Sequence, residues 1–221
     1  MSGGSSRGVV GSLIAFDRER SLDGRLRLAG VDEAGRGCWA GPVVAAVVVL
    51  PPGWAPDGLD DSKRLSAERR EAIFRAIRAG ALAWRACAVS PAEIDRLNIL
   101  GATLQAMARA VARVAPSPDL VLVDGLQLPD LPCRGEALVR GDGRSAAVAA
   151  ASVVAKVSRD RLMRAWDARL PGYGFASHKG YGSAEHRAAL RRLGPCPLHR
   201  RSYRPVSELA QGLLWDSAAA D

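Results

Sequence analysis

From Val43 to Leu50 the chain carries no polar side chain, and its β-branched valines mark a buried strand that Pro51-Pro52-Gly53 stops. The run is far too short to cross a membrane. Leu26–Asp32, Leu82–Val89 and Leu120–Asp124 read as further strands. Helical patterns alternate with them. One lies near Gly11–Ser21, and one runs from an N-cap at Ser66 to Ala79, ended by Gly80. Ser90-Pro91-Ala92-Glu93 is a capping box with proline at the first helical position, starting a helix to about Val114 that breaks near Asn98. Ser145–Leu170 and Ser183–Leu193 complete the set, before a basic tail. Three strands, a helix-rich middle, a strand and a helix describe a mixed α/β sheet flanked by helices around one core. At 221 residues the chain suits one domain. We divide it into a flexible segment over 1–24 with a short helix, a main domain over 25–206 and a tail over 207–221. Trp84, Trp166 and Trp215 sit in patterned apolar stretches as core residues.

Lys and Arg total 31 against 23 Asp and Glu, a net charge of +8 with a pI near 10.0. That balance favours polyanionic partners, nucleic acid before anionic membrane, although a solvated arginine-rich surface gives the same sum. Cys38, Cys87, Cys133 and Cys196 are dispersed, without the spacing of a disulfide framework or a zinc site. The N-terminal stretch lacks a signal peptide's cleavage site. These features describe a soluble cytoplasmic protein without a membrane segment, and nothing demands more than a monomer.

Val31-Asp32-Glu33-Ala34-Gly35-Arg36-Gly37 places two acids where an apolar strand meets a glycine-rich turn, the position at which α/β sheets put ligands. Gly35, Gly37 and Gly41 do not fit a dinucleotide fingerprint, and a strand follows where that motif needs a helix, so no organic cofactor is expected. Asp124 ends another strand before Gly125, and Asp142 lies between Gly141 and Gly143 ahead of the long helix. Singly, each acid has the alternative of a turn or capping residue. Together they form three acidic stations beside glycines. Clustered carboxylates repel unless a cation neutralises them, and oxygen-only donors suit Mg²⁺ or Mn²⁺ rather than zinc. Two such ions clamp a phosphodiester for hydrolysis, which fits a polyanionic substrate.

Asp32-Glu33-Ala34-Gly35-Arg36-Gly37 with Gly41-Pro42-Val43-Val44 resembles the opening signature of bacterial ribonuclease HII. Asp61-Ser62-Lys63-Arg64-Leu65, Ile94-Asp95-Arg96-Leu97-Asn98, Val123-Asp124-Gly125 and Gly141-Asp142 follow in order. So do Ala150 to Val157, His178-Lys179-Gly180-Tyr181 and His199-Arg200-Arg201-Ser202-Tyr203. The resemblance covers about residues 28 to 206. It implies a ribonuclease-H-like α/β fold with a C-terminal helical extension. It also implies that Asp32, Glu33, Asp124 and Asp142 are catalytic ligands of two Mn²⁺ or Mg²⁺ ions. The implied reaction is endonucleolytic cleavage of RNA in RNA–DNA hybrids and 5′ to single ribonucleotides in duplex DNA, leaving 3′-hydroxyl and 5′-phosphate ends. Cys38-Trp39 departs from the usual Pro-Leu pair and bears on local loop shape. Asp60 stands where Asn is common and adds a negative charge. Arg36 and the short N-terminus favour type HII over HIII.

The resemblance assigns 2′-hydroxyl reading to Gly35, Arg36 and Gly37 with Tyr181, whose alternative is an ordinary half-buried aromatic. Lys63 and Arg64 are candidate backbone grips, or simply a basic turn. Ser145, Ser152, Lys156 and Arg159 form a polar stripe on the long helix, which suits phosphate contacts or a solvated face. We take Ser152 and Lys156 as substrate-binding candidates. His178 reads as structural or as a phosphate donor. His199-Arg200-Arg201 either tracks the DNA strand or is a plain basic tail. Two rivals stand: a related nuclease acting on DNA, and a non-catalytic duplex-binding protein.

Overall fold

The computed structural model describes residues 3–218, with side-chain surroundings for residues 8–211. Its strands are β1 (Leu28–Ala34), β2 (Val43–Val49), β3 (Ala83–Val89), β4 (Leu120–Asp124) and β5 (Arg134–Leu138). They form one sheet in the order β3-β2-β1-β4-β5. β2 runs antiparallel to both its neighbours, whereas β1, β4 and β5 are parallel. The helices are α1 (Gly3–Arg20), α2 (Ala67–Gly80), α3 (Pro91–Ala112), α4 (Ala146–Arg169), α5 (Phe175–His178), α6 (Ala184–Leu193) and α7 (Arg204–Ala218). No helix among the described residues is long and apolar enough to cross a membrane.

The apolar run of β2 is buried along its whole length because both sheet faces are covered. Val43, Ala45, Val47 and Val49 pack in the cluster with α3, while Ala46 and Val48 pack with α2 and α4. α3 breaks at Asn98, whose backbone leaves the helical region at φ 59° while its Oδ1 accepts from the N–H groups of Leu100 and Gly101, both at 3.0 Å. Asn98 thereby caps the helix that follows it.

Three expectations need correction. β5 has no counterpart in the sequence reading, because it is an edge strand in which only Leu138 is buried and no apolar alternation develops. The segment over 1–24, expected to be flexible with a short helix, holds the 18-residue α1. Leu13 of α1 is buried in the α2–α4 cluster, and Asp17 Oδ2 accepts from the Ala147 N–H at 2.8 Å, so α1 caps the start of α4. The tail expected over 207–221 is helical as far as Ala218. Trp84 and Trp166 are partly buried against core clusters, whereas the side chain of Trp215 and any disorder of Met1 and Ser2 lie outside the described residues.

α4 lies directly on β1 at Gly30, where a Cβ would come within 2.0 Å of the Ala147 carbonyl carbon and 2.1 Å of Val148 N. Backbone cannot give way as a side chain can. Gly30→Ala should therefore cost about 1–3 kcal/mol or more in denaturant unfolding, and lower activity by lifting α4 from the strand that carries Asp32. A variant within about 0.5 kcal/mol of wild type would mean that the helix can slide, since that is the error of such comparisons.

Candidate active site

Parallel pairing of β1 and β4 puts Val31 opposite Val123, so Asp32 and Asp124 follow at the same end of neighbouring strands. Strand alternation sends both towards the α4 face and Glu33 to the other. Asp32 is buried, and its Oδ1 accepts from the Glu33 N–H at 2.7 Å. Asp124 Oδ1 accepts from the Gly141 N–H at 2.7 Å, tying the end of β4 to the 3₁₀ turn Gly141–Gly143 that presents Asp142. Ser145 then caps α4 by accepting from the Val148 N–H. Strand ends and a capped turn thus deliver the four acids, though no three His, Cys, Asp or Glu side chains among the described residues already converge as a metal cage.

Burial pushes the Asp32 carboxyl well above the usual range, and the neighbouring charges of Glu33 and Asp124 push it further. Burial likewise raises Glu33 and Asp124; Arg36 partly offsets this at Glu33, and the Gly141 N–H at Asp124. Among them stands the Lys63 ammonium, 3.6 Å from Asp142 Oδ2 on a largely exposed side chain. Burial alone would lower its pKa, but Asp142, Asp61, Asp32 and Asp124 outweigh burial and raise it. A lysine tail thus occupies the field in which a cation is wanted.

The Gly35–Gly37 turn leaves β1 beside these acids. Gly35 has φ +96°, and a Cβ there would lie 2.0 Å from Arg159 Nε. Two buried arginines hold the turn and its continuation. Arg159 donates to the carbonyls of Pro42 (3.0 Å) and Ala40 (3.1 Å). Arg200 donates to those of Gly35 (2.6 Å), Arg36 (2.7 Å) and Gly41 (2.9 and 3.0 Å). Tyr203 Oη donates to the Arg36 carbonyl as well, at 2.6 Å. The turn's backbone shape is thereby fixed from below.

Other anticipated residues fall in two groups. Arg36, half exposed, pairs with Glu33 at 3.3 Å. Tyr181 is 46% exposed, with Lys156 Nζ 5.7 Å from its ring centre and the Cys38 thiol against its phenol. Lys63 and Arg64 are exposed on the loop before α2, where Asp60 pairs with Arg64 and also accepts from the Asp61 N–H. The charge added at Asp60 is thus turned towards its own loop. Lys156 pairs with Asp160 at 2.8 Å.

Ser152, in contrast, is buried and shares a 2.6 Å hydrogen bond with Ser62 beneath Asp32, so it faces the acid rather than a substrate. Arg159 and Ser145 are fully buried, which corrects the phosphate reading of that stripe: only Lys156 keeps an accessible head. His199-Arg200 is no tail, since both residues are buried while Arg201 alone is exposed. The sequence reading also missed what Arg159 does. Its 4-residue spacing from Ala155 and Met163, both buried, would have placed it on the core stripe of α4.

A family model described as Ribonuclease HII matches residues 29–206. A ribonuclease HII of Syntrophotalea carbinolica is 56% identical over 197 residues, covering 89% of this chain and 94% of that protein. Another, from Maricaulis maris, is 58% identical over 183 residues, covering 82% and 83%. The crystal structure of ribonuclease H2 from Pyrococcus horikoshii superposes with a TM-score of 0.69 at 24% identity, covering 85% of this chain and 98% of that one. That likeness speaks for the fold, and the two sequence relatives speak for the family. The chain belongs to the ribonuclease HII family, and is a metal-dependent endoribonuclease that acts on RNA–DNA hybrids.

Proposed function

We propose that Asp32, Glu33, Asp124 and Asp142 hold two divalent cations, Mg²⁺ or Mn²⁺, and that the protein cuts RNA within hybrids and on the 5′ side of single ribonucleotides in duplex DNA. The observation that carries this reading is the junction of four acids, drawn from two adjacent strand ends and a capped turn, with a lysine ammonium among them. The donor set fits: all ligands are oxygen, and carboxyls held high by burial and mutual repulsion gain most from a cation. Small hard ions keep waters and substrate oxygens in their coordination, so an incomplete protein cage suits them. Bound there, two such ions polarise the phosphodiester and raise the acidity of water.

The protein's own groups supply the rest. The Gly35–Gly37 backbone, held rigid by Arg200, meets the ribose, and Arg36 can leave Glu33 for a phosphate once a cation neutralises that acid. Tyr181 stacks on the sugar beside the turn. Lys63, Arg64 and Lys156 face the phosphate backbone, and Ser152 orients Asp32 from below. Cleavage leaves 3′-hydroxyl and 5′-phosphate ends, and the working unit is a cytoplasmic monomer.

A duplex with one embedded ribonucleotide and its all-DNA twin, incubated with Mn²⁺, Mg²⁺ or chelator, test this reading. Only the first should be cut, only with metal, and at one phosphate. Cutting of both duplexes, or of the first in chelator, would refute it. Tyr181→Ala should slow cleavage about tenfold or more while duplex affinity changes little; an unchanged rate removes Tyr181 from ribose recognition.

A further inference from the structure

The chain has three histidines, and the fold gathers all of them behind Tyr181. His178 and His186 stack with ring centres 4.3 Å apart, and His186 Nε2 lies 3.0 Å from His199 Nε2. Backbone groups fix which nitrogen of each ring bears the proton, because an N–H only donates and a carbonyl only accepts. The Cys196 N–H donates to His199 Nδ1 at 3.0 Å, so a neutral His199 carries its proton on Nε2. His186 Nδ1 lies 2.9 Å from the Tyr181 carbonyl and must carry a proton, leaving its Nε2 as an acceptor. The two assignments are independent, and they meet correctly: His199 Nε2–H points at the lone pair of His186 Nε2. His178 is fixed in the same way, accepting from the Gly180 N–H at 3.1 Å and donating to the Tyr173 carbonyl at 2.8 Å.

We propose that His199 and His186 form a one-directional hydrogen-bond relay that positions Tyr181 against the Gly35–Gly37 turn, making both histidines positioning residues for ribose recognition. The proposal rests on the reading of Tyr181 as the residue that meets the ribose. The relay holds the residue's backbone carbonyl, while the Cys38 thiol meets its phenol. The departure at Cys38-Trp39 joins the same assembly, since the Trp39 indole lies 5.7 Å from the His186 ring and packs where a Cβ on Gly182 would stand. The Gly180 carbonyl, which accepts from the Trp39 N–H at 2.8 Å, ties the continuation of the turn to the tyrosine loop.

Protonation is incompatible with this relay. A second proton on His199 would face the Cys196 N–H, and one on His186 would face His199 Nε2–H. The ionisable groups packed against the pair are Tyr173 from the α4–α5 connection, His178 from α5 and Cys196 after α6, with the Arg200 guanidinium next in sequence to His199. None offers the negative charge that would favour an imidazolium. Burial, with the neighbouring histidines, holds both rings at about 4. The unfolded chain therefore binds more protons between about pH 6.5 and 4, and the relay's stabilising effect is lost as pH falls through that window.

The test uses the full chain labelled with ¹⁵N in its histidines. The imidazole spectrum should show two Nε2–H tautomers and one Nδ1–H tautomer, the last assigned to His186, with neither His186 nor His199 titrating between about pH 7.5 and 5.5. An Nε2–H tautomer at His186, or ordinary titration of His186 or His199, overturns the relay without recourse to any variant. On the single-ribonucleotide duplex, His186→Phe should lower kcat about tenfold with KM little changed, and His186→Asn, whose amide can still donate to the Tyr181 carbonyl, should recover most of the loss. Tyr181→Ala is measured beside them. If it leaves the rate unchanged, the ribose reading fails and this role with it. If it slows cleavage while a folded His186→Phe does not, the relay alone is overturned.

Discussion

Asp124→Asn should lower turnover by ~10³-fold or more, the rate equivalent of about 4 kcal/mol, while leaving the metal-free protein at least as stable as wild type. The new amide keeps a carbonyl oxygen that accepts from the Gly141 N–H, so the link between β4 and the Asp142 turn survives. What the substitution removes is a charge that burial and Asp142 disfavour, and that in turn raises the pKa of Asp32 and Glu33. Carboxyls held above their unfolded values bind protons more tightly in the folded state. These three carboxyls then contribute less to metal-free stability as pH rises from the ordinary carboxylate range through their raised values. That is opposite in sign to His186 and His199, so the slope due to the acids is read as the difference between wild type and variant. Divalent cations should flatten that slope in the wild type and raise Tm with concentration, because they bind the folded state alone. The amide variant should show a shallower slope and a smaller Mn²⁺-dependent rise in Tm. Full activity, or an undiminished response to Mn²⁺, would remove Asp124 from the proposed centre.

Much of this architecture can be read locally. The unbroken apolar run of β2 reports cover on both faces, and the capping box at Ser90 and the serine cap at Ser145 mark helix starts to within a residue. The acids are legible because their neighbours are: Asp124 follows four buried residues of β4, and Asp142 sits between glycines ahead of a helix. Whatever depends on distant partners is not legible. β5 is an edge strand whose pairing with β4, rather than its composition, makes it a strand. α1 is held by Leu13 and by a hydrogen bond from Ala147 to Asp17 across 130 residues, and polarity near the N-terminus suggests flexibility instead. The same blindness turns buried arginines into apparent DNA contacts. Arg159 reaches carbonyls 117 and 119 positions upstream, and Arg200 those 159 to 165 upstream. Charge says that such a residue needs a partner; only the fold says whether the partner is a phosphate or the chain itself.

Arg200→Met separates those possibilities sharply, and it should destabilise the protein by ~3 kcal/mol or more. The guanidinium is fully buried and donates to the Gly35, Arg36 and Gly41 carbonyls and to Tyr203 Oη. Methionine fills most of the volume but satisfies none of these oxygens. The Arg36 carbonyl keeps the Tyr203 hydroxyl; Gly41 loses two donors at once, and Gly35 its shortest. Each buried carbonyl left without a partner costs about 1–3 kcal/mol. Arg200→Lys should recover little, since a single ammonium cannot span three carbonyls that a planar guanidinium reaches together. Arg201→Met, one residue along on an exposed side chain, should stay within about 0.5 kcal/mol of wild type. Its effect belongs in duplex affinity, where loss of one phosphate contact lowers the slope of log K against log salt by about 0.9. Denaturant unfolding and salt titration of both variants decide the matter. If Arg200→Met unfolds like wild type yet loses salt-dependent affinity, Arg200 reaches the nucleic acid after all, and the Gly35–Gly37 turn, proposed above to meet the ribose, is not held by it.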